Sequence, residues 1–300
     1  MKYRQTITTL VLFTIILAIA ATIAGIFSND GPGQYAYTSI RGKTVSIYGK
    51  GLYKHMSAEV APQGIAQDYI TLFAGVPILI MSLLWSRKGS LKGRYLLTGT
   101  LGYFLVTYLF YTVMGMYNQL FLVYVVLMSS SFYAFILSLL SFNTGNLHTC
   151  FSTSTPVRWT GGFLIFNSVA IALLWLSIVV PPLLDGSIIP TEVEHYTTLI
   201  VQGLDLGILL PAAFALGVLF MKKSPIGYLL APVYFIFLSL LTTALTAKVV
   251  AMYGLGYNVI PVIFIIPAFN LLTILSTIAI LKNIVALPVN TKKAIYENVV

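Results

Sequence analysis

Long apolar runs, broken by short polar turns, dominate the chain. A helix needs about 20 apolar residues to cross a hydrocarbon layer roughly 30 Å thick. Eight runs meet that length: Thr6–Phe27, Pro62–Trp85, Tyr95–Met114, Leu120–Phe142, Thr160–Leu184, Leu199–Met221, Ile226–Met252 and Val259–Leu281. In lipid the backbone polar groups must be satisfied within the segment, so these runs predict helices. Met114–Asn118 predicts a tight turn between the third and fourth. Residues 28–61 form the longest polar connection. Within it Thr44–Tyr48 alternates polar and apolar residues ahead of Gly49-Lys50-Gly51, which predicts a short hairpin or strand over the bundle mouth. The expected class is an all-α integral membrane protein with about eight transmembrane helices, forming one membrane domain over residues 1–300.

Composition agrees with the pattern. Of 300 residues, 58% are hydrophobic and 8% charged, against roughly 25% charged in soluble chains. Lipid must therefore be the solvent for most of the molecule. The net charge of +9 does not indicate a nucleic-acid partner, because the basic residues sit at the ends of apolar runs and form no stripe. The single cysteine, Cys150, excludes an intrachain disulfide and a cysteine-based metal cluster.

Lys and Arg favour cytoplasmic loops. Arg87, Lys88, Lys92, Arg94, Arg158, Lys222, Lys223, Lys282, Lys292 and Lys293 then lie on one side with Lys2 and Arg4. Arg41, Lys43, Lys50 and Lys54 lie together in the long loop. Of eight acids, only Glu297 falls with the larger basic set. The expectation is a plasma-membrane protein with both termini cytoplasmic, an outer loop over residues 28–61 and a cytoplasmic tail over 285–300. The first run is longer than the 7–15 apolar residues usual in a signal peptide, so it is expected to be a retained helix.

Two stretches resemble one another. Asp68 opens an apolar run with Pro77, a basic turn follows, and the chain resumes at Gly93-Arg94-Tyr95-Leu96-Leu97. Asp205 opens a run with Pro211, Lys222-Lys223 follows, and the chain resumes at Gly227-Tyr228-Leu229-Leu230. Tyr117-Asn118 and Tyr257-Asn258 open the next-but-one spans, each with a polar residue twelve positions past its Tyr-Asn pair, Ser130 and Asn270. These matches predict two parallel four-helix repeats, residues 1–145 and 159–284, about a pseudo-two-fold axis along the membrane normal.

Intramembrane charges are costly and usually face a cavity or a partner. Asp68, Asp205 and Lys248 are the candidates, with Gln67, Gln202, Asn118 and Asn258 in the same half of the membrane. Together they predict an outward-facing polar cavity for a small solute, a cation or a proton, roofed by residues 29–61. The bland alternatives are a structural Asp205–Lys248 ion pair and Asp68 as a helix cap. His55 and Glu59, spaced i, i+4, and His195 make only a weak metal pattern. No cofactor is expected: there is no P-loop, no Gly-x-Ser-x-Gly elbow, no HExxH and no paired intramembrane histidines for haem.

The runs Ser46–Tyr53, Gln67–Ile80, Leu204–Phe220 and Tyr117–Val125 resemble a group of prokaryotic multi-span membrane proteins with no assigned function. The resemblance covers most of the chain and implies the multi-span architecture, with no activity attached. The leading expectation is a small-solute or ion transporter, or a subunit of one. The alternative is a non-transporting sensor or assembly protein that binds a partner. An intramembrane enzyme acting on lipid or quinone ranks third, since no nucleophile–base pair or metal constellation is visible.

Overall fold

The computed structural model describes residues 2–145 and 147–285. The predicted tail beyond Val285, with Lys292, Lys293 and Glu297, lies outside them. Eight helices are long and apolar enough to cross a membrane: α1 (Arg4–Phe27), α2 (Val60–Arg87), α3 (Leu91–Val113), α4 (Phe121–Leu140), α5 (Val157–Val179), α6 (Ile200–Met221), α7 (Pro225–Gly254) and α8 (Val262–Lys282). The chain is an all-α integral membrane protein. Its only strands among the described residues are β1 (Tyr35–Thr38) and β2 (Thr44–Ile47), an antiparallel hairpin in the long connection.

The predicted spans hold with shifts of a few residues at their ends, two of which prolines explain. The fifth stops at Val179, because Pro181 and Pro182 offer no N–H to continue the ladder, and residues 181–184 form a separate short turn of helix. The eighth begins at Val262, just after Pro261. At their other ends, α3 and α7 start on serine caps. Ser90 Oγ accepts from Gly93 N at 3.1 Å, and Ser224 Oγ accepts from Gly227 N at 3.0 Å.

Both α2 and α6 contain a five-residue π turn, Thr71–Gly75 and Asp205–Leu209. A proline follows each by two residues, Pro77 and Pro211. A proline ring clashes with the carbonyl four residues back, and the wide π turn lies where that carbonyl sits. The helices therefore continue through their prolines.

Helices α3 and α7 bury more of their residues than the others and form the centre of the bundle. Helix α7 packs on α2, α3, α6 and α8. Its internal Pro232 frees the carbonyl of Tyr228, and the Tyr95 hydroxyl of α3 donates to that carbonyl at 2.8 Å. One central helix thus repairs the break in the other.

The two ends of the bundle are closed differently. At the hairpin end, Arg41 donates to the carbonyls of Tyr196 (2.9 Å), Thr197 (3.2 Å) and Glu194 (3.4 Å), and Lys43 donates to that of Thr191 (3.0 Å). The long connection is thereby pinned over the loop between α5 and α6. At the opposite end Tyr95, Phe142, Phe151 and Tyr228 stack with ring centroids 4.8–5.9 Å apart. Arg94 lies over Phe142 and donates to the Ser141 carbonyl at 3.1 Å.

A candidate intramembrane charge site

Asp68 lies eight residues into α2, about 12 Å from its start at 1.5 Å per residue. That depth rules out the capping alternative; Glu59 occupies the cap position. The carboxylate is 2% exposed and enclosed by tyrosines. Tyr53, from the connection above the bundle, donates to Oδ2 at 2.5 Å. The Tyr111 hydroxyl on α3 lies 3.0 Å from both Oδ1 and the Gly64 carbonyl. Tyr111 packs edge-on against Tyr108 and Tyr124, with centroids 5.8 Å and 5.3 Å away.

The fourth wall is backbone. A Cβ placed on Gly25 of α1 would overlap the Asp68 carboxylate. Helices α1–α4 therefore converge on one acid. The hydroxyls of Tyr108 and Tyr124 are buried around it without a well-formed hydrogen bond, although Asn118 and Tyr53 lie near that of Tyr124. Burial and the adjacent Asp68 carboxylate push the Tyr53 phenol well above its ordinary range, so Tyr53 remains a donor.

Gln67 turns away from this box. Its amide donates to the Tyr103 hydroxyl at 2.8 Å and to Thr107 Oγ1 at 3.3 Å, and Tyr103 also bonds Thr71 at 2.8 Å. It is a strut between α2 and α3. Asn118 and Asn258 are turn residues, whose side-chain oxygens accept from Leu120 N (2.9 Å) and Ile260 N (3.2 Å) ahead of α4 and α8. Gln202 is half-buried on α6, and its side chain joins no hydrogen bond among the described residues.

The second acid has a different setting. Asp205 opens the π turn of α6, and its Oδ2 accepts from Trp175 Nε1 of α5 at 2.8 Å. No ion pair to Lys248 forms within 4.0 Å; among the described residues the sole salt bridge is Lys54–Asp30, at 3.6 Å. Lys248, on α7, is half-buried and its side chain makes no hydrogen bond among the described residues, yet it stands in the field of Asp205 and, more weakly, of Asp68. Asp205 and Lys248 thus form no contact ion pair; the lysine stays in the field of both acids, each of which has other partners.

The predicted equivalence of Asp68 and Asp205 does not survive the helix geometry. The π turns, the prolines and the serine caps of the two halves all align at one spacing of 134 residues, as in Thr71 and Asp205, Pro77 and Pro211, Ser90 and Ser224, Gly93 and Gly227. At that spacing Asp205 faces Thr71, and Asp68 faces Gln202. Ser130 and Asn270 also differ in their surroundings. Ser130 pairs with Thr14 of α1 at 3.0 Å, whereas Asn270 accepts from Thr242 and Thr243 of α7.

The weak metal pattern is not assembled. His55 contributes only its carbonyl, 3.0 Å from His195 Nε2, and among the described residues no three His, Cys, Asp or Glu side chains converge. Two cavities, of about 610 Å³ and about 200 Å³, lie elsewhere and are not lined by Asp68, Asp205 or Lys248. Tyr108, Tyr111, Tyr124, Gly25 and Trp175 escaped sequence reasoning. The visible signal was Tyr108 and Tyr111, spaced i, i+3 on one face of an apolar helix and so bringing two hydroxyls to one place. No known protein family, curated protein or solved structure matches the chain.

Proposed function

We propose that the protein is a proton- or cation-linked transporter of a small solute, or the charge-carrying subunit of one, described here in a state closed at both ends. One observation carries this: the Lys248 side chain, inside the bundle and without hydrogen bond or ion pair among the described residues, stands in the fields of Asp205 and Asp68. A charge at that depth costs a few kcal/mol on insertion scales, and such charges characteristically mark ion or substrate paths. Moving a proton or cation onto either acid changes the charge that Lys248 faces. The tyrosine hydroxyls around Asp68 are the groups a bound cation or solute would exchange with.

The test is reconstitution in liposomes with an entrapped pH dye and a panel of amines, amino acids and sugars. Solute-dependent proton movement in the wild type, lost in Lys248→Met and Asp68→Asn, is the expected result. No flux with any solute, or flux unchanged in both variants, defeats the proposal. The closure of both ends favours a second role, a sensor or assembly protein that binds a partner through its pinned outer loops. For that role a partner retained on the Arg41 face and lost in Arg41→Ala, with no flux, is the discriminating result.

Two further parts of this proposal are supported by sequence and geometry together. The common spacing of 134 residues supports an internal duplication of the four-helix unit. The basic residues gathered at the end opposite the hairpin support cytoplasmic termini in the plasma membrane, which a reporter fused at Val300 would test by its activity on one side only.

A further inference from the structure

The two halves of the bundle differ at one seam. In the first half α1 packs along α4, and Thr14 Oγ1 meets Ser130 Oγ at 3.0 Å. In the second half the corresponding helices, α5 and α8, meet through rings, Phe163 and Phe166 each against Phe269, at 6.1 Å and 5.9 Å. Beside those rings an open cavity of about 610 Å³ remains. Its walls are the exposed Phe166 and Phe264, with Ile265 and Leu272. Gly162 faces it, and a Cβ there would meet nothing within 4 Å.

The cavity ends on a charge. Arg158, in the first turn of α5, lines it together with the exposed Trp159. Arg158 has no hydrogen bond or ion pair among the described residues. Its place at the end of a membrane helix is the headgroup level, where tryptophan also settles. An apolar slot of acyl-chain character thus runs up to an exposed guanidinium with no protein partner among the described residues, whose fork geometry matches phosphate.

We infer that the α5–α8 seam is a binding site for one anionic phospholipid, with its phosphate on Arg158 and an acyl chain along Phe163, Phe166, Phe264 and Phe269. The charge selects the headgroup class, and the depth of the apolar slot selects a lipid over free phosphate. The lipid fills in the second half the space that α1 and α4 close against each other in the first. This site is independent of Asp68 and Lys248.

Native mass spectrometry of the detergent-purified chain, titrated with phosphatidylglycerol and with phosphatidylcholine, tests the inference. One phosphatidylglycerol should be retained in preference to phosphatidylcholine. Loss of a charge-assisted phosphate contact in Arg158→Gln should weaken it by about tenfold. Gly162→Phe, which fills open space and so spares the fold, should displace the lipid while leaving thermal stability in lipid-free detergent unchanged. Equal retention of the two lipids, or phosphatidylglycerol binding unaffected by both variants, overturns it. So does a dimer that disappears in Gly162→Phe while lipid binding stays, since the slot would then hold a second copy of the chain.

Discussion

The hydroxyl of Tyr53 reaches from the connection above the bundle to the carboxylate of Asp68 inside it, 2.5 Å from Oδ2. The roof and the intramembrane acid are therefore one unit. Tyr53→Phe removes the donor and leaves a buried carboxylate oxygen unmatched, which costs about 1–3 kcal/mol. The expected result is a lower melting temperature in detergent together with faster proteolysis within residues 28–61. A roof that stays equally protected would separate the two.

Gly25 and Gly162 make a matched pair of opposite sign. Alanine at Gly25 drives a methyl into the Asp68 carboxylate, and overpacking of that kind costs about 1–3 kcal/mol. Alanine at Gly162 meets open space and should leave stability unchanged or slightly higher, because it restricts the unfolded chain. Thermal denaturation of the two variants side by side checks the contrast.

Tyr95 and Pro232 should be energetically coupled. Tyr95→Phe orphans the Tyr228 carbonyl, at a cost of about 1–3 kcal/mol. Pro232→Ala restores an N–H that can reach the same carbonyl along the helix. The double variant should then be more stable than the sum of the single effects implies, and a double-mutant cycle by thermal or denaturant unfolding measures that excess.

Glu59 gives the roof a pH dependence. Burial first, then the charges of Glu194 and Glu192, raise its carboxyl above the ordinary value, which is about 4.3. A raised acid holds its proton in the folded state where the unfolded chain has released it. Its contribution is therefore complete below the ordinary value and is lost as pH rises through the folded one. The protection of residues 28–61 against hydrogen exchange, taken relative to the intrinsic rate at each pH, should fall from acidic toward neutral pH, and Glu59→Gln should flatten that fall.

Much of the architecture was legible before any coordinates. Lipid solvation makes the eight runs obvious, because a span needs length and apolarity and little else. The hairpin strand at Thr44–Ile47 was legible from alternation, but its partner Tyr35–Thr38 was not, since that strand is exposed on both faces and carries no pattern. Asp68, Asp205 and Lys248 stand out in any reading of the spans. Their partners do not. Tyr53, Tyr111 and Trp175 are ordinary interfacial residues by composition, and only the packing of four different helices and a loop assigns them to two acids. The register of the two halves was misjudged by matching acid to acid. The π turns sit at the same spacing in both halves, and the prolines and serine caps carry that register where the two acids do not.

Arg41 binds carbonyls of residues 194, 196 and 197, at sequence separations of 153 to 156. A chain made from its N-terminus has placed five helices before those carbonyls exist. During synthesis the hairpin must therefore wait unfastened over a half-built bundle. Asp68 and its tyrosines can assemble from the first half alone, and the clasp closes only when the loop ahead of α6 emerges. The order of assembly is thus written into one arginine: the Asp68 box forms first, and the lid is fastened by the second half of the protein.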